Sequence, residues 1–213
     1  MSLKIPIEIS ARHVHMCRGD FEELFGKGAE LTFEKELSQP GQYLAKERID
    51  IVGPKNTFHN VAILGPFRSA TQVELSITDT RKLGLAHAIR QSGDIADTPG
   101  CNLSHGEKSI WIDQGVIVAK RHIHMTPQQA MRLHVRDNEE VCILTHSYER
   151  SVIYADVVVR VSKNFRLSMH VDTDEGNAFA CDTEPFGVIL PLYDTATYSL
   201  EKWTEELLEG ISR

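Results

Sequence analysis

Residues 7–16 read IEISARHVHM, and residues 116–125 read VIVAKRHIHM. Each segment is an apolar strand pattern that ends in an arginine, two histidines separated by one aliphatic residue, and a methionine. Both copies lead into a short helical stretch. A strand–motif–helix unit that is used twice predicts two similar halves that face each other.

The helices that follow the two copies have recognisable ends. After the second copy, Thr126 is the predicted N-cap, Pro127 takes the first helical position and Gln129 completes a capping box. After the first copy, Asp20 precedes apolar residues and Gly26 ends the run. These signals predict one short helix behind each histidine motif.

The remaining chain is dominated by short strand patterns between turns such as Pro40-Gly41, Gly53-Pro54 and Gly65-Pro66. The predicted strands are Arg48–Val52, Phe58–Leu64, Gln72–Ile77, Ser109–Ile112, Gly115–Ala119, Glu140–Thr145, Val152–Val161 and Phe165–Val171. Short strands with Gly and Pro punctuation are typical of barrels and sandwiches. We therefore expect a mainly β fold of small barrels or sandwiches with short helices at their ends.

Composition narrows the classes of protein. The chain has 213 residues, 41% of them hydrophobic, and a net charge of −7, so it can bury a core but is a poor ligand for nucleic acid or anionic membrane. No apolar run reaches the roughly 18–20 residues of a membrane helix. The four cysteines form no Cys-x-x-Cys pair, which predicts reduced thiols and a cytoplasmic location.

The duplicated histidines have the spacing of metal ligands. Alternate residues of a strand point to the same face, so His13 and His15 lie side by side with α-carbons about 6.6 Å apart. His122 and His124 repeat the arrangement. Imidazole is a good zinc ligand at about 2.0–2.1 Å, so each pair predicts a metal site.

Two further strand residues complete these sites. Strand alternation places Glu74 opposite the apolar face of its strand, and it places His170 opposite Phe165, Leu167 and Met169. We expect Glu74 and His170 to be the third ligands. Three protein ligands leave positions open for substrate, which is the catalytic pattern for zinc. The spacing leaves open which histidine pair Glu74 joins.

An anion site is predicted beside the metal ligands. Arg68 follows Gly65-Pro66 and lies six residues before Glu74, so the loop brings it near the same strand end. A guanidinium binds phosphate through a planar fork that lysine cannot reproduce. Arg12 and Arg121 precede the histidine pairs, and alternation directs them away from the metal, towards the barrel ends or a neighbouring element.

Several strings resemble the phosphate propanoyltransferase family, the phosphotransacylases of propanediol and related microcompartment pathways. They are ISARHVH at 9–15, LSQPGQ at 37–42, LGP at 64–66, TQVE at 71–74, QSGD at 91–94, RHIHM at 121–125 and MHVDTDE at 169–175. The resemblance runs from about residue 5 to 180. It implies a mainly β fold with two small β-barrel domains that are capped by short helices and related by internal duplication. Residues 1–12 with 120–181 form one barrel, and residues 30–119 form the other.

The resemblance also implies the site. Two zinc ions per chain lie between the barrels, and the family's ligand positions match His13, His15, Glu74, His122, His124 and His170. Its phosphate-binding arginine matches Arg68, and Ser92 and Ala119 match coenzyme A contacts. Lys120 stands where some relatives have an apolar residue or proline. The implied partners are acyl-CoA, inorganic phosphate and acyl phosphate, in a homodimer or larger assembly.

Two features depart from the family pattern. Some relatives carry an N-terminal extension that targets a microcompartment, whereas here the first strand begins almost at once. Residues 182–213 extend beyond the family core, and Thr197–Ile211 has the apolar spacing of an amphipathic helix. Packing on the protein or a dimer mate is one reading of this helix, and docking into a microcompartment is the other.

The function expected from this set is reversible transfer of a propanoyl or acetyl group between coenzyme A and phosphate. Arg68 and zinc would position phosphate, and zinc would stabilise the developing oxyanion and the thiolate, with no covalent enzyme intermediate. Alternatives are a cupin-like or other metal-dependent hydrolase and a non-catalytic, microcompartment-associated metal-binding protein. Against the cupin, the histidine pair is duplicated and Glu74 is distant from His15 in sequence.

Overall fold

The computed structural model describes residues 3–147, 150–181 and 185–190, and within them it has fifteen strands and four short helices. The strands are β1 Ile5–Ser10, β2 His13–His15, β3 Phe33–Glu36, β4 Tyr43–Val52, β5 Thr57–Gly65, β6 Gln72–Glu74, β7 Ile89–Arg90, β8 Cys101–His105, β9 Lys108–Ile112, β10 Val116–Ala119, β11 His122–Met125, β12 Glu140–His146, β13 Ile153–Val161, β14 Ser168–Asp172 and β15 Phe186–Leu190. The helices are α1 Arg18–Phe25, α2 Ile77–Leu83, α3 Pro127–Leu133 and α4 Thr173–Ala178. The mainly β prediction is confirmed.

Six strands close into a barrel in the order β1-β14-β11-β13-β12-β15. Their inward positions are aliphatic, and Ile5, Ile123, Ile143 and Met169 are fully buried in its core. The first strand of the chain therefore pairs with strands from the second half, β14 on one side and β15 on the other. Closure leaves this barrel without a free edge among the described strands.

The other strands form a second sheet in the order β7-β10-β6-β2-β5-β4-β8-β9, with β3 paired to β4. Ile49, Ile51, Ile63 and Leu103 fill its core. This sheet is a half-barrel, so the structure has one closed barrel and one half-barrel. The chain passes from the first to the second between Ser10 and His13. The predicted division into residues 1–12 with 120–181 and residues 30–119 stays a prediction.

The duplication is visible in strand pairing. β2 lies between β5, which is parallel to it, and β6, which is antiparallel. β11 lies in the same way between parallel β13 and antiparallel β14. The predicted capping box of Thr126 and Gln129 is present at α3, and Gly26 caps α1.

Each half also has a helix after its third ligand strand. Ser76 caps α2 and Asp172 caps α4. Arg12 donates two hydrogen bonds to Asp79 at 2.8 and 2.9 Å, while Arg121 donates to Glu175 at 2.7 Å. Arg12, which precedes β2, is thus tied to the first turn of α2. Arg121, which precedes β11, is tied to the first turn of α4.

Three segments differ from the strands predicted above. The strand predicted at Gln72–Ile77 ends at Glu74, because Ser76 starts α2. The strand predicted at Phe165–Val171 begins at Ser168. Residues 186–190, placed in the C-terminal extension, form β15 of the closed barrel. The predicted helix at 197–211 lies outside the described residues. None of the described helices has the length and apolar character needed to cross a membrane.

Candidate metal centre and anion site

Glu74 joins the first histidine pair. β2 and β6 are antiparallel neighbours with His13 directly opposite Glu74. The Nε2 atom of His13 lies 3.5 Å from one Glu74 oxygen, and Nε2 of His15 lies 3.7 Å from the other. Tetrahedral zinc ligands at about 2.0–2.1 Å are roughly 3.3 Å apart. The three side chains, whose ligand atoms all lie within 4.8 Å of one another, therefore have nearly the separation that zinc needs.

The electrostatics of this cluster favour an ionised Glu74 carboxylate beside a protonated His13 and a neutral His15. Burial opposes ionisation of Glu74, but the neighbouring His13 outweighs it and holds the Glu74 pKa well below its usual range. Burial and the charge of His13 lower the pKa of His15 to about 3. Burial also opposes charge on His13, yet Glu74 raises the His13 pKa. A cation between these groups would replace the proton that His13 and Glu74 share.

A backbone carbonyl group fixes the orientation of the His13 ring in the first cluster. Nδ1 of His13 lies 2.9 Å from the carbonyl oxygen of Ala11, so Nδ1 carries a proton and Nε2 is the ring nitrogen that faces Glu74. Nδ1 of His122 has the same relation to the carbonyl of Lys120, also at 2.9 Å. The duplicated backbone therefore orients both rings in the same way.

His122, His124 and His170 form the second cluster. Nε2 of His122 and Nε2 of His124 are 3.1 Å apart, and the His170 ring lies 5.3 and 5.1 Å from the other two ring centroids. Burial is the main cause that lowers the pKa of His122 to about 4 and that of His124 to about 2. Three neutral imidazoles then face one another.

The second cluster is less tightly closed than the first. Nε2 of His170 hydrogen-bonds Oγ of Ser168 at 2.8 Å. Within the described ranges, only the first cluster has all ligand atoms within 4.8 Å. Nδ1 of His124 is buried without a hydrogen-bond partner among the described residues. Buried polar atoms seldom stay unpaired, and the donor chemistry of the three rings fits a metal ion.

Both clusters face one cavity of about 320 Å³ that lies between the two sheets. Its lining includes all six predicted ligands together with Arg68, Ser92 and Arg160. A smaller adjoining cavity is lined by His13, Glu74, His122 and His170 and reaches Ala119. The structure thus brings the nine predicted site residues to one place.

Arg68 is tied to the first cluster through Ser92. Nη1 of Arg68 donates to Oγ of Ser92 at 2.9 Å, and this hydroxyl donates to Glu74 at 2.9 Å. The backbone N–H of Arg68 donates to the carbonyl of Met16, one residue beyond His15. Burial lowers the pKa of Arg68, against the opposing charge of Glu74. The guanidinium therefore lies beside the first cluster of predicted ligands.

Two polar residues of the site received no role from sequence. The buried amide of Gln72 donates to Glu74 at 2.6 Å and to Ser92 at 3.0 Å, and accepts from the N–H of Gly93 at 2.7 Å. The sequence did indicate this position, because strand alternation places Gln72 on the same face of β6 as Glu74. Arg160 lies on β13 and lines the main cavity. No local pattern distinguishes it from a solvated strand arginine.

Phe165 was predicted to face the core, and this placement is wrong. Its ring packs against the His124 ring with centroids 4.3 Å apart, and it lines the main cavity. The reason is that Phe165 precedes β14 in a turn, where strand alternation does not apply.

Known proteins resemble this chain over most of its length. A family model described as phosphate propanoyltransferase matches residues 6–182. The chain belongs to the phosphate propanoyltransferase family. Proteins named phosphate propanoyltransferase from Leptotrichia buccalis, Listeria monocytogenes and Thermotoga maritima are 55%, 52% and 49% identical to it. The matches cover 81%, 82% and 84% of this chain and 81%, 81% and 85% of those relatives. Membership of the phosphate propanoyltransferase family therefore extends over both halves of the site.

Proposed function

We propose that this protein is a phosphate acyltransferase that moves a propanoyl or acetyl group reversibly between coenzyme A and inorganic phosphate at a dinuclear zinc site. One observation carries the proposal: two duplicated three-ligand clusters and the guanidinium of Arg68 line the same cavity between the sheets. Family membership supports the same chemistry, since the relatives are named as propanoyltransferases acting with phosphate.

The residues fit two zinc ions. His13, His15 and Glu74 would hold one, because their ligand atoms already have suitable separations. His122, His124 and His170 would hold the other. That ion would bind either the buried Nδ1 of His124 or the facing Nε2 atoms of His122 and His124. Zinc at these positions supplies a Lewis acid that stabilises negative charge on a carbonyl oxygen and on a leaving thiolate.

The proposed reaction needs no covalent enzyme intermediate. An oxygen of hydrogen phosphate attacks the thioester carbonyl carbon, a C–O bond forms, and the C–S bond breaks with its electron pair on sulfur. The proton of hydrogen phosphate ends on that sulfur, which gives acyl phosphate and the free thiol. Arg68 would bind the phosphate oxygens through its fork and hold the anion in line with the carbonyl carbon.

Ser92 has a positioning task in this scheme. Its hydroxyl accepts from Arg68 and donates to Glu74, so it fixes the distance between the anion-binding group and the first cluster. We also propose that Ser92 and Ala119, which line the two adjoining cavities, contact coenzyme A. Lys120 forms an ion pair with Glu140, so its charge is already neutralised by the protein.

The decisive experiment combines metal content with a thiol-release assay. Purified protein is analysed by mass spectrometry for metal, and thiol release from acetyl-CoA and propanoyl-CoA is followed with and without phosphate. We expect about two zinc ions per chain and release that depends on phosphate. Release without phosphate would indicate a hydrolase, and metal without release would favour the non-catalytic alternative.

Arg68→Ala tests the anion site. We expect the KM for phosphate to rise at least about tenfold and turnover to fall, because a hydrogen-bonded charge pair is lost, while metal content stays unchanged. Arg81→Ala removes an exposed arginine from α2 and serves as the control. Normal phosphate kinetics in Arg68→Ala would remove Arg68 from the site.

We further propose a homodimer or larger assembly that works in the cytoplasm or inside a bacterial microcompartment. Light scattering after size-exclusion chromatography measures the assembly. Co-fractionation with microcompartment shells, compared between the full chain and a chain that ends at residue 190, tests the docking role of the helix predicted at residues 197–211. Equal co-fractionation would assign that segment to packing.

A further inference from the structure

Arg160 is the second guanidinium of the main cavity, and it comes from the other half of the molecule. It lies on β13 directly beside His124 in the parallel pairing with β11. Arg68, by contrast, follows β5 in the half-barrel. Both side chains line the cavity that holds the two ligand clusters. Two arginines therefore approach one space from opposite sheets.

The charge of Arg160 has no counter-ion among the described residues. Arg12, Arg18, Arg48 and Arg121 each pair with a carboxylate. Arg160 has only the ring of Phe165, whose centroid lies 6.0 Å from the guanidinium carbon. A half-buried guanidinium without a partner costs solvation. An anion in the cavity would supply the missing partner.

The fold does not require an arginine at this position. His13 pairs with Ala62 and Val14 with Ile63, so the same register sets Leu64 beside His15. Leu64 is thus the counterpart of Arg160 in the first half, and it also lines the cavity. The half-barrel builds the equivalent strand with leucine, which shows that the position can be filled by an aliphatic side chain. The guanidinium is an addition to one half.

We propose that Arg160 is a second phosphate-binding residue. It binds the phosphate from the barrel side, while Arg68 binds it from the half-barrel side. The inference rests on the proposed function and assigns the phosphoryl group of phosphate or acyl phosphate as the ligand. Phosphate offers oxygens to two forks at once. The pyrophosphate of coenzyme A has the same chemistry, and kinetics separate the two ligands.

The test compares Arg160→Leu, Arg160→Lys and the control Arg166→Leu. Arg166 is an exposed arginine outside the main cavity, so its variant makes the same charge change nearby. In Arg160→Leu we expect the KM for phosphate to rise at least about tenfold, with the KM for propanoyl-CoA within about twofold of wild type. Arg160→Lys should fall between, because it keeps the charge but loses the fork. Arg166→Leu should match wild type.

Calorimetric titration of inorganic phosphate into the metal-loaded proteins gives a second readout. We expect weaker binding in Arg160→Leu than in Arg166→Leu, with equal metal content. An unchanged phosphate affinity, or a change confined to the KM for propanoyl-CoA, overturns the inference. A wild-type protein that binds phosphate but transfers no acyl group would overturn the proposed function, while the titration would still decide the role of Arg160.

Discussion

The cluster of His13, His15 and Glu74 and the cluster of His122, His124 and His170 occupy matching registers in the two halves, yet their third ligands differ. Glu74 pairs across from His13, and His170 pairs across from His122. The carboxylate is buried within a network of Gln72 and Ser92, whereas His170 hydrogen-bonds Ser168. The two halves therefore share the backbone geometry of the cluster, but their third ligands differ in charge.

This difference would give the two clusters different net charges with the proposed zinc ions bound. Glu74 would neutralise part of the charge of one zinc ion, whereas the imidazoles of the second cluster leave its charge whole. Arg160 adds a further cation on that side. The barrel side of the cavity would therefore attract a phosphate dianion more strongly. The half-barrel side carries the buried carboxylate of Glu74.

Removal of one predicted ligand from each half should have the largest effect. We expect His15→Ala and His124→Ala each to lose about one metal ion per chain and at least roughly 1000-fold in activity, because the Lewis acid contributes several kcal/mol. Metal analysis and thiol release measure both. His87→Ala changes an exposed histidine and should behave as wild type. Loss of both ions in either variant would show that the two sites are not independent.

Exchange of the third ligands, Glu74 and His170, tests the difference in charge between the two clusters. In Glu74→His the metal should remain, but activity should fall about 10–100-fold because Gln72 and Ser92 lose their acceptor. His170→Glu should also retain metal, and its KM for phosphate should rise because a negative charge enters the barrel side. Metal content and the two KM values distinguish these effects. Identical kinetics in both variants would contradict the charge argument.

The arginines before the histidine motifs should contribute unequally to stability. Arg12→Met leaves the carboxylate of Asp79, which is only 4% exposed, without its bidentate partner, and should cost about 1–3 kcal/mol. Arg121→Met leaves the more exposed Glu175 and should cost less than about 1 kcal/mol. Urea unfolding measures both. The double variant Arg12→Met with Asp79→Asn should recover part of the loss; no recovery would contradict the pairing.

Acid should destabilise the metal-free protein through its buried neutral rings. With the pKa of His122 at about 4 and that of His15 at about 3, the unfolded chain binds protons first as pH falls below about 6.5, and stability is lost. The raised pKa of His13 acts in the opposite direction, because its stabilisation is present below about 6.5 and is lost as pH rises. The net loss should be on the order of 1 kcal/mol.

Urea unfolding in chelator at pH 7.5 and 5.5 measures this loss. His122→Gln should reduce the difference in stability between the two pH values, because a ring that resists protonation is removed. His13→Gln should increase it. Equal stability of metal-free wild type at both pH values would contradict the assignment of neutral buried imidazoles.

Much of the site was predictable because strand periodicity is local. Alternation alone put His13 beside His15 and His122 beside His124, and it put Glu74 and Gln72 on one face. It failed at Phe165, which lies in a turn, and at Ile77, where a Ser76 cap had already begun a helix. Local signals could not find β15, because residues 186–190 become a strand only by pairing with β1 and β12.

The sequence by itself determined the duplicated strand–motif–helix unit, the mainly β class and the types of residue that face the cavity, since all of these follow from spacing along one strand. The tertiary structure alone decided that Glu74 belongs with His13 and His15, that Ser92 links Arg68 to Glu74, and that Arg160 lines the same cavity as Arg68. Those relations join residues that are far apart in the chain, and the hydrogen-bond register between strands sets them rather than the periodicity within any one strand.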